Sequence, residues 1–461
     1  MITEKVLDPL SIRDGRLFIE GCDAADLAKK FGTPLFVVSE AKLVENAKSY
    51  KNSFERNWPE GPVKVMAAVK ACPVTAVRRV LTREGICCDT FGFGELECAL
   101  RGGVAPENIA VNGSVKGRDI IRKAIDLGCY IVLDNPTELT YCQEEAKSLG
   151  KRAKAVIRMK PYLEGLETPS DFFPSRLIKD MTQTVKYGIP TSELMDMLPR
   201  FADCPDVDPV GAHIHIGRHT KDLKVWAVML EAYALWIKRV SDGLGGKWVP
   251  KVVSIGGGFA AEHDIESRVA VTDYPTPSVE EFAQATTKAF RDALHSHGLP
   301  TEGMVLEVEP GRAMHNETGI HLSTVHNVKH ETENIDRKWL EMDTSECFLG
   351  LGSLSTAPPF PYLIANKAGL QATDKADIVG LTCNYECLLE HAEIPENVEA
   401  GDTLAFLNTG SYIEVYTCNF NCLPRPGMIL VSGDDADWVK MPETLEQVFS
   451  RDVVPERLAD V

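Results

Sequence analysis

Along most of this chain, short apolar runs alternate with longer amphipathic ones. Val63–Ala68, Ile86–Asp89, Ile109–Asn112, Tyr130–Asp134, Lys154–Met159, Gly211–Ile216, Lys251–Ile255 and Met304–Val308 are compact runs that predict eight strands. Between them, Val74–Arg83, Gly94–Arg101, Gly117–Leu127, Pro136–Leu149, Asp222–Leu244 and Ser278–His297 space their apolar residues as helices do, with few Gly or Pro inside. Strand–helix alternation implies a parallel sheet. Eight units over about 250 residues predict an α/β fold closed as a (β/α)8 TIM-type barrel, with an open doubly wound sheet as the alternative.

The flanks have another texture. A strand-like run, Arg16–Glu20, and a helix-like run, Asp23–Lys30, stop at Gly32-Thr33-Pro34; Leu35–Val38 is a short apolar strand and Ala41–Arg56 a helix with a charged outer face. After Arg312 the long helices cease, and Ile320–Val328, Ala376–Leu381, Thr403–Leu407 and Met428–Val431 predict a mostly β region. The expected domains are therefore a lead-in over residues 1–34 that contributes to a β domain, a barrel over 35–315, and a C-terminal β domain over 316–461. Tyr162–Gly188 is longer than an ordinary connection and rich in Pro and charge, which predicts a surface excursion beside a site.

Composition narrows the function. The 461 residues suffice for two cores, and 44% hydrophobic with 25% charged content is ordinary for a globular protein. A net charge of −18 argues against nucleic acid and anionic membrane as partners. No apolar run reaches membrane-spanning length, and Met1–Arg13 lacks a basic stretch followed by an apolar one. The expected location is the cytoplasm, with the thirteen cysteines as reduced thiols. Cys383/Cys387 and Cys418/Cys422 form two CxxxC pairs, but without zinc-ribbon spacing or accompanying histidines no metal is expected.

Candidate chemistry collects where the strands end. Lys70 follows the first apolar run. A lysine there either reaches water or holds a carbonyl cofactor as a Schiff base. Asp89 ends the second strand, Asn112 the third and Asp134 the fourth; Arg158 lies on the fifth, and His213-Ile214-His215-Ile216-Gly217-Arg218 ends the sixth. Gly256, Gly257 and Gly258 follow the seventh, and Glu309-Pro310-Gly311-Arg312 the eighth. Taken singly, Asp89 reads equally as a helix cap, His215 as a bonded core histidine and Arg158 as an ion-pair partner. Together they line the carboxyl end of a barrel, where such folds keep their chemistry. Three glycines after a strand let backbone amides approach a phosphate, although a tight turn explains them as well. Glu309 suits a ring nitrogen that must stay protonated, and Arg312 a phosphate or carboxylate. An amine, a phosphate cradle, a carboxylate for a ring nitrogen and a histidine able to stack are what pyridoxal 5'-phosphate requires.

With those motifs in order, the chain resembles the alanine-racemase-fold amino-acid decarboxylases, the family of diaminopimelate, ornithine and arginine decarboxylases. AAVKAC (Ala67–Cys72) resembles that family's lysine motif, CCDTFGFGEL (Cys87–Leu96) its segment ending GEL, and NGSVK (Asn112–Lys116) its GNxK. HIHIGRH resembles HxHIGS, and SIGGGF and EPGR match closely. GLTCNYEC (Gly380–Cys387) resembles GPxCExGD, and GSYIEVY (Gly410–Tyr416) a GAY segment. The resemblance implies a pyridoxal-phosphate enzyme removing an amino acid's α-carboxylate, with Lys70 as the Schiff-base lysine and His215 as the stacking ring. It implies a homodimer with shared sites, in which Cys383 acts in the partner's site and Tyr412 meets phosphate or substrate.

The departures concern the far end of the substrate. Arg218 stands where the family has a phosphate-binding serine, leaving open whether it meets phosphate or substrate. Asn384 replaces the acid that takes the distal amine, and Cys387 replaces a second acid. PPFPYL (Pro358–Leu363) shows no arginine for a distal carboxylate. An ammonium without its carboxylate is penalised, which argues against a plain diamine-yielding substrate. Two other readings remain: a racemase or epimerase on the same barrel, for which the resemblance implies a tyrosine in place of Cys383, and a cofactor-carrying regulatory protein, which would lack the β domain.

Overall fold

The computed structural model describes residues 8–167, 177–215, 220–261, 276–350, 360–384 and 387–458. It divides into two compact units, Leu43–His315 and the combination of Met1–Lys42 with Asn316–Val461.

The first unit is a closed barrel of eight parallel strands: Val63–Ala68, Cys87–Phe91, Ile109–Asn112, Tyr130–Leu133, Ala153–Arg158, Val207–His213, Val252–Ser254 and Val305–Val308. The last strand closes on the first with Leu306 opposite Val63 and Val308 opposite Val65. All eight expected strands are present. The sixth differs most. It begins at Val207 and ends at His213, with its register shifting between Pro209 and Gly211 because proline cannot donate to the ladder. Ile216, its expected end, lies outside the described residues. The six expected barrel helices form within one or two residues of their predicted ends, as Thr75–Arg83, Phe93–Arg101, Arg118–Leu127, Pro136–Leu149, Leu223–Gly243 and Val279–Ser296.

Local chemistry sets these boundaries. Asn135 caps Pro136–Leu149 by accepting from the amides of Thr137 and Glu138, and Gly150 ends it in the left-handed region. Ser278 and Glu281 form a reciprocal capping box on Val279–Ser296. Part of the expected excursion, residues 168–176, lies outside the described residues; beyond it run the short helices Ile178–Thr184 and Thr191–Met197.

Inside the barrel, Met66, Cys87, Ala110, Val132 and Val156 pack with Val210 as one apolar layer. Side chains alternate along a strand, so the residues two further on share that face. Those are Ala68, Asp89, Asn112, Asp134 and Arg158. One periodicity thus builds an apolar floor and a polar layer above it.

The second unit carries a nine-stranded sheet and a three-stranded one. The small sheet is Leu10–Arg13, Arg16–Ile19 and Cys22–Asp23. In the large sheet, Leu35–Ser39, which the sequence places at the head of the barrel segment, pairs instead with Gly319–Glu331 and Gly427–Ser432. Val37, Ile320, Leu322, Ala405, Leu407, Ile429 and Val431 form its core. Among the described residues, no helix is long and apolar enough to cross a membrane.

Candidate active site

The polar layer of the barrel is a connected network. The first strand ends in a single 3-10 turn, Val69–Ala71, that carries Lys70. Its Nζ lies 3.1 Å from Asp89 Oδ2. Asn112 Nδ2 donates to the other Asp89 oxygen at 2.8 Å, and Arg158 donates to Asn112 Oδ1 at 3.3 Å. Arg158 lies 3.6 Å from Asp134, which accepts the Gly188 amide at 2.9 Å. This last bond ties the far end of the Tyr162–Gly188 excursion to the strand ends. Asp89, Asn112, Asp134 and Arg158 are all buried, whereas the Lys70 side chain is 39% exposed. The network therefore fixes the Lys70 amine, still reachable, at the mouth of the barrel.

Beneath the third and fourth strands, Lys116 is buried against Glu138 at 2.8 Å and donates to the Gly113 carbonyl at 2.6 Å. Glu138 also accepts the Asp134 amide at 2.8 Å. Breaking such a buried pair strands a charge, so it locks the two strand ends together.

Across the mouth stands Glu309. Ser254 donates to its Oε1 at 2.8 Å, and His213 Nε2 lies 2.9 Å from the same oxygen. Burial pushes the Glu309 carboxyl up, but the close approach of His213 outweighs it and holds the group well below the usual range. His215 is pushed down by burial, and its Nδ1 accepts the Gly257 amide at 3.1 Å, which leaves the ring proton on Nε2. A buried, ionised carboxylate beside an uncharged imidazole is a seat for a cationic ring nitrogen.

The glycine run has a steric cause. A Cβ at Gly256 would lie 2.3 Å from the Ile214 carbonyl, and one at Gly257 would lie 2.2 Å from that of Glu309. Gly258 has φ +99°, a conformation side chains avoid. The sixth, seventh and eighth strand ends thus approach so closely that only glycine fits, which leaves a cradle of bare backbone beside His215 and Glu309. Gly311 and Arg312 are half-buried, with Arg312 opening the short helix Arg312–His315. Arg218 lies outside the described residues.

The remaining candidates belong to the β unit. Cys383 is exposed; its amide donates to Asn421 Oδ1 at 3.0 Å, and Asn421 Nδ2 donates to its thiol at 3.6 Å. Asn384 Nδ2 donates to Glu346 Oε1 at 2.5 Å. Tyr412 is half-buried with φ +57°. Of GLTCNYEC, residues 385 and 386 lie outside the described residues.

In the barrel the structure brings together Lys70, Asp89 and Arg158, and separately His215, Gly256, Gly257 and Glu309. Sequence reasoning missed Ser254 and noted His213 as a strand-end group without a role; both lie against Glu309. It noted Asn112 and Asp134 as strand-end groups without seeing that they link Asp89 to Arg158. Their signal was the shared inward periodicity.

These features fit pyridoxal phosphate: an accessible amine held by a carboxylate, a backbone cradle that any Cβ would fill, and an ionised carboxylate awaiting a cation. A family model described as pyridoxal-dependent decarboxylase, pyridoxal binding domain, matches residues 40–316. Diaminopimelate decarboxylase of Methanocaldococcus jannaschii is 27% identical over 459 residues, covering 98% of each chain. That of Bacillus subtilis is 28% identical, covering 95% of each. The solved Methanocaldococcus enzyme in complex with L-lysine superposes with a TM-score of 0.86 at 26% identity, covering 98% of this chain and 99% of that one.

Proposed function

Since this chain belongs to the pyridoxal-dependent decarboxylases, we propose that it removes the α-carboxylate of an amino acid held through Lys70 and Glu309 at the barrel mouth. The observation that carries the reading is the pairing, in one mouth, of the Lys70 amine on Asp89 with a Glu309 carboxylate kept ionised by His213. Pyridoxal phosphate, when bound, supplies a protonated ring that accepts the electron pair left at the α-carbon as carbon dioxide departs.

The chain's own residues do the rest. Lys70 would hold the cofactor's aldehyde carbon, with Asp89, steadied by Asn112, holding Lys70. Glu309 would pair with the ring nitrogen and keep it protonated. His215 would offer its ring face to the cofactor, Gly256–Gly258 would let the phosphate approach the backbone, and Arg312 and Tyr412 would be further anion contacts. Lys70 carries a proton for the α-carbon on one face and Cys383 one for the other. The relatives named diaminopimelate decarboxylase support a substrate with a polar group at its far end, near Asn384.

Carbon dioxide release from a panel of amino acids tests the reading. A single preferred substrate giving one equivalent of gas is expected; exchange of the α-hydrogen without gas would return the racemase alternative.

The assembly in this reading is a homodimer with Cys383 serving the neighbouring barrel. Lys70→Ala and Cys383→Ala, each inactive alone, should regain about a quarter of wild-type sites when mixed, because half of randomly re-paired dimers are mixed and each of those has one intact site. No recovery after verified exchange would place both residues within one chain.

A further inference from the structure

Two cysteines of the β unit, 71 residues apart in the chain, stand side by side in the fold. Cys347 is 6% exposed, whereas Cys418 is open to solvent. The Cys418 amide donates to the Cys347 carbonyl at 3.2 Å. Residues joined by such a bond keep their Cα atoms roughly 5–6 Å apart, within the span of about 4.4–6.8 Å that a disulfide bridges. The side chains meet as well, with the two thiols as hydrogen-bond partners. Both residues belong to the same compact unit.

The pair is unequal. The Cys347 thiol donates to Glu346 Oε1 at 3.3 Å, and that oxygen also accepts from Thr382 and Asn384. Burial pushes the Cys347 thiol up, and the bond to Glu346 and the neighbouring Cys418 add to the rise. Near neutral pH Cys347 therefore keeps its proton and gives it up only to a base beside it. Glu346 Oε1 already stands where that proton points. Cys418, at the surface, is the thiol that a dissolved oxidant reaches first.

We propose that Cys347 and Cys418 form a reversible redox site for hydroperoxides, in which Cys418 takes the oxidant, Cys347 closes a disulfide onto it and Glu346 receives the Cys347 proton. In the first step the hydroperoxide's O–O bond breaks. One oxygen passes to the Cys418 sulfur as a sulfenic acid, and the other leaves as water or an alcohol. In the second, Cys347 Sγ attacks the Cys418 sulfur. The S–S bond forms, the S–O bond breaks, and the hydroxyl leaves as water with the proton passed through Glu346. The two thiols together give up two electrons, and the hydroperoxide accepts them. A dithiol restores both thiols and leaves as its own cyclic disulfide. No step uses the cofactor, so the inference goes beyond the decarboxylase reading and stands or falls apart from it.

The test treats the holoenzyme with one equivalent of hydrogen peroxide per chain, alkylates the remaining thiols in urea, and digests with chymotrypsin without reductant. That protease separates Cys418 from Cys422 at Phe420, and Cys383 from Cys387 at Tyr385. One linked pair of peptides carrying Cys347 and Cys418 is expected, and dithiothreitol should release it. In Cys347→Ser, Cys418 should remain a sulfenic acid and take up dimedone. In Cys418→Ser, the Cys347 thiol should survive the dose. Glu346→Gln should close the bridge roughly 100-fold more slowly while Cys418 is oxidised at the wild-type rate; a merely structural role for Glu346 would not separate the two steps. Linkage of any other pair of cysteines, or a wild-type Cys347 still alkylated after the dose, overturns the proposal whatever the variants do. So does a Cys418→Ser chain that loses its Cys347 thiol. Closure at the wild-type rate in Glu346→Gln overturns the step through Glu346.

Discussion

Lys70→Ala should lower carbon dioxide release by roughly four orders of magnitude or more, because it removes the amine, held on Asp89 at the barrel mouth, that condenses with the cofactor. Borohydride treatment of the wild type should fix one cofactor on the peptide that carries Lys70, and treatment of the variant should fix none. The alanine variant has a second defect. Asp89 is 2% exposed and, among the described residues, would keep Asn112 as its one side-chain donor, at about 1–3 kcal/mol of stability. Lys70→Arg separates the two effects. A guanidinium satisfies Asp89 but stays protonated and cannot condense, so this variant should melt near the wild type and still be inactive. Cofactor fixed to the chain in either variant would show that another lysine holds it, and the assignment of the barrel mouth would fail with it.

How much of this was legible beforehand depends on burial. The eight barrel strands are covered on both faces, so each reads as a compact apolar run. Arg337–Met342, Leu389–Ile394 and Asp435–Lys440 went unseen because they carry charge on their open faces. Two of them, Leu389–Ile394 and Asp435–Lys440, sit at the edges of the sheet, where charge blunts aggregation. Leu35–Ser39 was visible as a strand, but its partners are hundreds of residues away, and local pattern says nothing about them.

The site divides along the same line. Lys70, Asp89 and Glu309 stand out as polar groups ending apolar runs. His213 does not, because its role exists only through Glu309 on the second strand over. The glycine run announced a phosphate cradle in sequence; the structure adds that Gly256 and Gly257 are required by carbonyls of neighbouring strand ends. Glu346 was silent, since 38 residues separate it from the Asn384 it meets. Side chains that act through a partner remote in sequence need the fold before they can be read.

Glu307→Gln should flatten the fall in stability of this protein above neutral pH. Glu307 lies on the last barrel strand, opposite Lys64, is 3% exposed, and leaves Oε1 without a hydrogen-bond partner. Burial pushes its carboxyl up to about 8, with Glu309 and Asp89 adding to the rise and Lys64 opposing it. The folded state therefore keeps a proton that the unfolded chain gives up above about pH 4.3. Its stabilising contribution is complete below that value and is lost as pH climbs toward 8. Two buried imidazoles run the other way: burial pushes His315 and His321 down to about 3, so the unfolded chain gains protons below about pH 6.5 and stability falls on that side. The clean window for Glu307 is thus pH 6.5 to 8. At about 1.4 kcal/mol per pH unit, that window is worth about 2 kcal/mol. The wild type should lose roughly 4–8 °C of melting temperature across it through this group. Glutamine has the same shape and no proton to lose, so the difference between the two melting curves should widen steadily from pH 6.5 to 8. Curves that stay parallel would mean that Glu307 is ionised in the fold, with Lys64 outweighing its burial.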